Sequence, residues 1–466
     1  MLFSGITFLY YFLPLFLLVY FLTPKQFRNG VLLTASLIFY AWKEPQNVIW
    51  LILLALAGYG FGLGLAWLRG SRQSRRLLVL SVCICAAPLV FFKYADFFIS
   101  GFHAVTGWPL PYISQTLPAG ISFYTFQMIG YLADVYRGEA AAQKNPVRFA
   151  AYAAMFPQLI AGPIVRYTDI ALQLSCRTFG FDRAASGIER FVVGLAKKVL
   201  LADVLGELCA KFQASDDRSV LFYWLYAAAF TLRIYFDFSG YSDMAIGLGR
   251  LLGFDFKENF NYPYISRSIT EFWRRWHISL GSWFRDYVYI PLGGNRVSLG
   301  RWLGNVSLVW ILTGFWHGAS WNFIVWGLFF ALLLIAEKCF LRKYLERHPI
   351  VSHLYVLFFV IVGFVIFQAG DLGEAVRYLR AMFGAGGLSL VSEEFLYAIR
   401  SYGMVLLLAA AASTPLGKAV LASVKRKEKG EQLIHLAEPA AAAVLLLLST
   451  AYLVDGSFSP FLYFRF

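Results

Sequence analysis

The chain has 466 residues, of which 59% are hydrophobic and only 15% are charged. Soluble domains are about half apolar and about a quarter charged, so this composition excludes an ordinary soluble protein and predicts an integral membrane protein. The net charge of +14 does not call for a nucleic-acid partner, because basic cytoplasmic loops produce such an excess by themselves. The five cysteines have neither metal-ligand nor redox spacing, and we expect no metal site.

Hydrophobic and basic segments alternate along the first hundred residues. Apolar spans are predicted over 7–22, 31–42, 48–68 and 77–92, and basic residues follow the first and the third of them. Residues 94–115 contain neither Lys nor Arg. Because cytoplasmic loops hold the Lys and Arg excess, the pattern places the N-terminus outside the cytoplasm and the Arg69–Arg76 loop inside.

The middle of the chain contains one segment that is too short for a straight span. Residues 119–135 are predicted to return to the cytoplasm, whereas residues 149–163 fall short of the ~20 residues that a spanning helix needs. Breaks at Phe156-Pro157 and Gly162-Pro163 indicate a re-entrant or interfacial helix pair. Residues 191–208 and 221–236 are the next predicted spans, and Lys197 and Lys198 lie either near the cytoplasmic end or toward the protein interior.

The second half is predicted to begin with a long cytoplasmic region, residues 238–301, of amphipathic helices. Residues 302–336 are too long for one upright helix, and a turn near His317–Ser320 is expected to divide them. An amphipathic helix at 375–383, spans near 354–367, 402–412 and 440–453, and a basic inner loop at 425–429 complete the pattern. The prediction is an all-α polytopic protein with about 11–12 crossings and both termini outside the cytoplasm. We expect one domain over 1–466, with N-terminal spans (1–136), a middle part (137–236), a catalytic core (237–340) and C-terminal spans (341–466).

Two histidines stand in unusual surroundings. His277 ends the basic aromatic run Phe272-Trp-Arg-Arg-Trp-His277, and His317 interrupts an apolar segment within Trp316-His-Gly318. An ionisable residue inside an apolar span is a functional hypothesis by default. From the residues alone, His317 is either a base or a structural histidine between helices, and His277 is either part of a site or an interfacial residue.

Several motifs in one order resemble the membrane-bound O-acyltransferase (MBOAT) family. They are the two histidine motifs, Trp283-Phe-Arg-Asp-Tyr287, Leu117 to Gln127, Phe156 to Pro163, Tyr235 to Asp243, and the closing Ser459 to Phe466. Leu292-Gly-Gly-Asn-Arg296 is similar to the alginate O-acetyltransferase branch. The resemblance implies that His317 is the catalytic base and that His277 orients substrate or shares a proton.

Other polar and aromatic residues are expected to bind substrate or to support the histidines. Arg274 and Arg275 either hold phosphates of a donor or simply reflect cytoplasmic positive charge. Asp237 and Asp243 are expected to pair with Arg233 or with these arginines, as structural ion pairs or as support for the histidines. Trp276, Trp316 and Asn322 complete the predicted site, and Arg285-Asp286 is open to the same two interpretations.

The predicted function is transfer of acetyl groups from a cytoplasmic thioester, with acetyl-CoA as substrate and no permanently bound cofactor. The resemblance implies O-acetylation of a secreted polysaccharide such as alginate, periplasmic or extracellular partner proteins, and a bacterial inner membrane location in contact with lipids. The alternatives are D-alanyl transfer to teichoic acid and, from another class, a transporter or channel without covalent chemistry.

Overall fold

The regular structure of the chain is helical. The computed structural model describes residues 3–42, 44–427, 430–456 and 461–462, and no β-strand occurs among them. The predicted all-α fold is therefore confirmed. Most of the closing motif, Ser459 to Phe466, and the last two residues of the basic loop at 425–429 lie outside the described residues.

The chain divides into two compact units. The first contains Met1–Phe191 and Met244–Lys257, and the second contains Val192–Asp243 and Glu258–Phe466. The boundaries differ from the segments predicted from the sequence, and the single acyltransferase domain over 1–466 stays a prediction.

The described residues of the first unit contain ten α-helices, the last of which extends to Ala196, together with the end of a later helix, Val220–Leu251. Glycines allow close approach between two of the longer ones, because a Cβ at Gly58 would lie 2.7 Å from the sulfur of Met128. The helices are α1 (Leu13–Leu22), α2 (Arg28–Ala41), α3 (Val48–Trp67), α4 (Arg72–Leu89), α5 (Ala95–Thr106), α6 (Ile121–Arg137), α7 (Pro146–Ala154), α8 (Phe156–Leu159), α9 (Tyr167–Ile170) and α10 (Phe181–Ala196).

The short segment at 149–163 forms two helices, as predicted. Helix α7 ends at Ala154, Met155 adopts ψ of 110°, and α8 begins at Phe156. Pro157 lies in the first turn of α8, where its missing N–H costs nothing, and it cannot continue the preceding helix. Pro146 and Val147 at the start of α7 are exposed, but residues 151–159, which contain the break, are buried, so the irregular backbone is enclosed by protein.

The second unit carries the aromatic motifs. It includes residues 220–243, the first part of helix α12 (Val220–Leu251), and its core is a cluster rich in Phe, Tyr and Trp. The helices that follow α10 are α11 (Val204–Ala214), α12 (Val220–Leu251), α13 (Ile269–Arg275), α14 (Ile278–Phe284), α15 (Leu299–His317), α16 (Trp321–Ala336), α17 (Arg342–Arg347), α18 (Pro349–Gln368), α19 (Leu372–Met382), α20 (Glu393–Ala412), α21 (Leu416–Lys425) and α22 (Gly430–Asp455).

The length of helix α12 contradicts one prediction made from the sequence. Residues 238–251 were expected to begin a region of interfacial amphipathic helices, but they continue a single helix of 32 residues. Nearly all of these residues are buried, which explains why they do not alternate between polar and apolar faces. The predicted amphipathic helix at 375–383 is confirmed as α19, whose buried face contains Ala375 and Met382.

Among the residues that the structure describes, six segments are long and apolar enough to cross a membrane by length and composition. They are Pro45–Trp67, Arg72–Thr106, Trp321–Arg347, Pro349–Gln368, Glu393–Ala412 and Gly430–Asp455, and Phe8–Leu22 is a shorter apolar helix. The protein is therefore a multi-pass membrane protein, and the predicted 11–12 crossings stay a prediction.

Helices α15 and α16 form the hairpin that the sequence predicted. Helix α15 ends at His317, residues 318–320 turn the chain, and α16 begins at Trp321. Gly314 and Gly327 let the backbones meet, because a Cβ on Gly314 would overlap the carbonyl of Phe323. The close crossing fixes where the last turn of α15 lies.

The predicted topology can be tested with single cysteines in a cysteine-free background. A cysteine at Arg72, which is exposed, is expected to stay unlabelled when an impermeant maleimide is added outside intact cells. A cysteine at Asp216, exposed in a loop predicted to lie outside, is the matched positive control. Strong labelling at 72 with none at 216 would invert the proposed orientation.

Candidate active site

His277 lies in a strained turn between two short helices. Helix α13 ends at Arg275, and His277 adopts φ 46° and ψ 53° before α14 begins. A left-handed conformation costs a non-glycine residue roughly 1–3 kcal/mol. Two backbone hydrogen bonds hold the turn: Asn261 N–H donates to the Arg275 carbonyl, and Ile278 N–H donates to the Asn259 carbonyl, both at 2.9 Å. The surrounding fold thus determines the direction of the imidazole.

The His277 ring is enclosed by aromatic and amide groups. It is only 3% exposed, and the Phe238 ring meets it edge to face at 4.6 Å between centroids. Nδ1 lies 3.2 Å from Asn259 Oδ1. Burial lowers the pKa of His277 to about 3, since the low-dielectric surroundings disfavour the charged form. The ring is therefore neutral at ordinary pH.

His317 occupies the last position of α15. Its ring is 6% exposed and packs against Trp326 at 5.2 Å and Phe367 at 5.1 Å between centroids. Gly318 follows, and a Cβ there would overlap the Phe323 ring, so glycine is needed for this packing. The arrangement confirms the sequence interpretation that His317 is a buried polar group within an apolar segment.

The two histidines, forty positions apart, line one cavity. This cavity has a volume of about 1040 Å³ and lies wholly within the second unit. The Trp316 ring lies 6.1 Å from the His277 ring and 5.0 Å from the His317 ring, so one indole contacts both imidazoles. The folded chain thus brings both histidines to the same cavity.

The lining of the cavity is more basic than acidic. Five basic side chains, Arg267, Arg274, Arg285, Lys338 and Arg342, lie beside three glutamates, Glu271, Glu337 and Glu346. Arg274 is exposed and lines the cavity, whereas Arg275 pairs with Glu271 at 2.8 Å and donates to the Asn261 carbonyl. Arg285 pairs with Asp286 at 2.6 Å. The geometry suits an anionic ligand near Arg274 and gives Arg275 a structural role.

The predicted acidic residues have lysine partners. Asp237 lies 2.8 Å from Lys198 and Asp243 lies 2.6 Å from Lys197, so the expected arginine partner of Asp237 is wrong. Lys198 is only 1% exposed, which places it in the protein interior. The reason is that residues 194–198 and α12 pack closely through Gly240, whose added Cβ would approach the Gly194 carbonyl to 2.7 Å.

Of the remaining predicted residues, one lines the cavity and two pack against the residues that form it. Trp276 lines the cavity and stacks on Phe272 at 5.6 Å between centroids. Trp316 supports both histidines from the side. Asn322 is 1% exposed and donates to the Ala369 carbonyl at 2.8 Å, which ties the start of α16 to the end of α18.

Sequence reasoning missed two residues that shape the site. Asn259 is fully buried and faces His277, and Glu337 is buried at the end of α16, where it accepts hydrogen bonds from the start of α13. A signal existed for Glu337, because it is an ionisable residue that ends an apolar run. Asn259 lies in a polar loop with no periodic pattern, and only the folded chain brings it to the histidine.

Glu337 is expected to stabilise the helix that precedes His277. Its carboxylate accepts from Ile269 N–H at 2.5 Å, Thr270 N–H at 2.9 Å and the Thr270 hydroxyl at 2.6 Å. Glu337→Ala leaves the buried Ile269 N–H and the half-buried donors of Thr270 without this acceptor, so we expect a loss of about 1–3 kcal/mol, measured by thermal unfolding in detergent. Glu346→Ala, which removes only an exposed pair with Arg342, is the control. Equal unfolding temperatures for the two variants would contradict this role.

The sequence places the chain among known proteins. The profile of the membrane-bound O-acyltransferase family, MBOAT, matches residues 139–369. The chain is 42% identical to the probable alginate O-acetylase AlgI of Azotobacter vinelandii, over all of both proteins. It belongs to the MBOAT family. As a member it is an O-acyltransferase, which decides against a transporter without covalent chemistry.

Two further relatives are less similar to this chain and have other activities in their names. A peptidoglycan O-acetyltransferase of Helicobacter pylori is 33% identical, covering 84% of this chain and 81% of its own. A teichoic acid D-alanyltransferase of Bacillus subtilis is 29% identical, covering 53% of this chain and 68% of its own. The similarity to the O-acetylating relatives is thus higher and extends further along the chain.

Proposed function

We propose that this MBOAT protein transfers acetyl groups from a cytoplasmic thioester, acetyl-CoA, across the bacterial inner membrane for O-acetylation of a secreted polysaccharide such as alginate. The observation that carries the proposal is a cavity lined by two buried histidines in a chain that matches an alginate O-acetylase from end to end. The cavity volume of about 1040 Å³ leaves room for an extended thioester arm.

His317 is proposed to act as the general base. The acceptor hydroxyl oxygen attacks the thioester carbonyl carbon as its proton passes to the His317 imidazole. The carbon–sulfur bond then breaks, and the thiolate takes up that proton from the His317 imidazolium to leave as free thiol. An ester and a thiol are formed, and His317 is neutral again. His317 ends α15, where the carbonyl end of a helix favours the positive charge that a base acquires.

The basic side chains of the cavity are proposed to hold the phosphates of the donor. Arg274 is the first choice, because it is exposed and lines the cavity, whereas the guanidinium of Arg275 is engaged by Glu271. A guanidinium fork matches phosphate oxygens in two hydrogen bonds. Arg267 lines the same cavity and adds positive charge, whereas Arg342, which also lines it, pairs with Glu346.

D-alanyl transfer to teichoic acid is the weaker candidate. The teichoic acid D-alanyltransferase of Bacillus subtilis aligns with only 53% of this chain, whereas the alginate O-acetylase of Azotobacter vinelandii aligns with all of it. Leu292-Gly-Gly-Asn-Arg296, the segment similar to the acetylating branch, contributes Asn295 to the cavity. We infer that periplasmic partner proteins complete delivery of the acetyl group to the sugar.

The test is to find the molecule that becomes labelled. Purified protein is incubated with [¹⁴C-acetyl]-CoA, with and without candidate periplasmic acetyltransferases and alginate. Label in an ester on the partner or the polymer, together with free CoA thiol, is the expected result. Consumption of a D-alanyl carrier thioester, with acetyl-CoA left intact, would replace the proposal with the alternative.

A further inference from the structure

Asn259 has an arrangement of partners that the reaction scheme above does not use. Its side chain is fully buried, with Nδ2 3.2 Å from the Ser242 hydroxyl of α12. Its Oδ1 accepts from the backbone N–H of Ser279 at 3.1 Å and from the Ser279 hydroxyl at 2.9 Å. The same oxygen lies 3.2 Å from Nδ1 of His277.

These contacts determine which ring nitrogen of His277 carries the proton. A backbone N–H can only donate, so the amide atom that meets Ser279 N–H must be the oxygen of Asn259. That oxygen can only accept, and Nδ1 of His277 must therefore donate to it. A neutral imidazole carries one proton, so Nε2 is left as the acceptor.

We propose that Asn259 is a positioning residue that holds neutral His277 in the Nδ1–H tautomer and so makes Nε2 its hydrogen-bond acceptor. This proposal rests on the proposed function, in which His277 orients the acceptor hydroxyl or shares its proton. With Nε2 as acceptor, His277 receives a hydrogen bond from a hydroxyl and does not donate one to the thioester carbonyl. Both histidines then act on the attacking hydroxyl group.

Two features separate tautomer control from simple support of the turn. The backbone carbonyl of Asn259 accepts from Ile278 N–H at 2.9 Å, and this bond persists whatever the side chain at 259. The Ser279 hydroxyl donates to the same Oδ1 and lies 3.5 Å from Nδ1 of His277, where its oxygen can only accept. Its removal leaves the shorter contact between Asn259 and His277, at 3.2 Å, in place. Substitutions at 259 and 279 therefore perturb the turn in similar ways but differ in their effect on the ring.

The experiment reads the tautomer directly. The full-length protein is labelled with ¹⁵N-imidazole histidine, and the His277 resonances are assigned by their loss in His277→Gln. Protonated and unprotonated ring nitrogens have well-separated ¹⁵N shifts. We expect Nδ1–H in the wild type, in Ser279→Ala and in Asn259→Asp, whose carboxylate still accepts. Asn259→Leu is expected to give a mixture of tautomers.

The rate of acetyl-CoA cleavage is the second quantity to measure, and we expect it to fall when the tautomer is lost. Single-turnover acetyl-CoA cleavage by Asn259→Leu is expected to fall by between about 10-fold and 10⁴-fold, the upper figure being the loss when a triad histidine is held in the wrong tautomer. Asn259→Asp should recover most of the rate. A wild-type spectrum with the proton on Nε2, or an Asn259→Leu protein with unchanged Nδ1–H, would overturn the proposal.

The spectrum needs no acetyl donor, so its outcome is independent of the proposed function. If the wild type shows Nδ1–H but never cleaves acetyl-CoA, then the function fails while the tautomer assignment stands. If Asn259→Leu does not fold, the wild-type and Asn259→Asp spectra still decide the assignment.

Discussion

Replacing His317 by glutamine is expected to slow single-turnover cleavage of acetyl-CoA by about 10²–10⁴-fold, the usual contribution of general acid–base catalysis. Glutamine keeps hydrogen-bonding capacity but cannot take up a proton at neutral pH. His317→Ala should show a similar loss. Thioester loss in the purified protein is the quantity to follow, because delivery to a partner can otherwise limit the rate.

His353 provides the matched control for this substitution. It is a partly buried histidine of α18 whose Nδ1 lies 3.1 Å from the Ser266 carbonyl, and it is not among the residues that line the cavity. His353→Gln should retain a rate near that of the wild type. A wild-type rate in His317→Gln would remove the base role and leave His317 a structural residue.

A methyl group at the crossing of α15 and α16 is expected to disrupt both stability and activity. A Cβ at Gly327 would overlap the carbonyl of Trp310, and one at Gly314 would overlap the carbonyl of Phe323. Since the obstacles are backbone atoms, the helices must separate, at a cost of about 3 kcal/mol. His317 lies three residues after Gly314. Gly314→Ala should therefore also displace the proposed base and lower the single-turnover rate as well as the unfolding temperature.

Gly304→Ala is the control for substitutions at Gly314 and Gly327. Gly304 lies on an exposed part of the same helix α15, and no atom lies within 4 Å of the added methyl. Alanine is intrinsically favoured over glycine in a helix by about 1 kcal/mol, so no loss of stability is expected. If Gly314→Ala and Gly304→Ala unfold at the same temperature in detergent, the close crossing does not set the position of His317.

The sequence was sufficient for features with a local physical signal. The turn at His317–Ser320 could be predicted because the hydrophobic run is too long for one helix. The two short helices α7 and α8 could be predicted because prolines interrupt an apolar segment. Membership of the MBOAT family followed from motifs spread over the chain in one order. Each of these signals can be seen in neighbouring residues.

The features that the sequence did not predict depend on contacts between distant segments. Lys198 replaces the expected arginine beside Asp237 because a close helix approach at Gly240 brings lysine there. The left-handed backbone of His277 depends on hydrogen bonds from residues 259–261, and no propensity of histidine predicts it. The continuation of α12 through residue 251 reflects burial, which overrides the polar residues in that stretch.

Covalent transfer from a thioester at the histidine cavity can be tested with a double label. Purified protein in proteoliposomes is given acetyl-CoA labelled with ¹⁴C in the acetyl group and ³H in the CoA. The proposed chemistry predicts that the labels separate, with ³H in free thiol and ¹⁴C in an ester, and that His317→Gln suppresses this separation. Passage of both labels together across the membrane, or separation that is unchanged in His317→Gln, would contradict it.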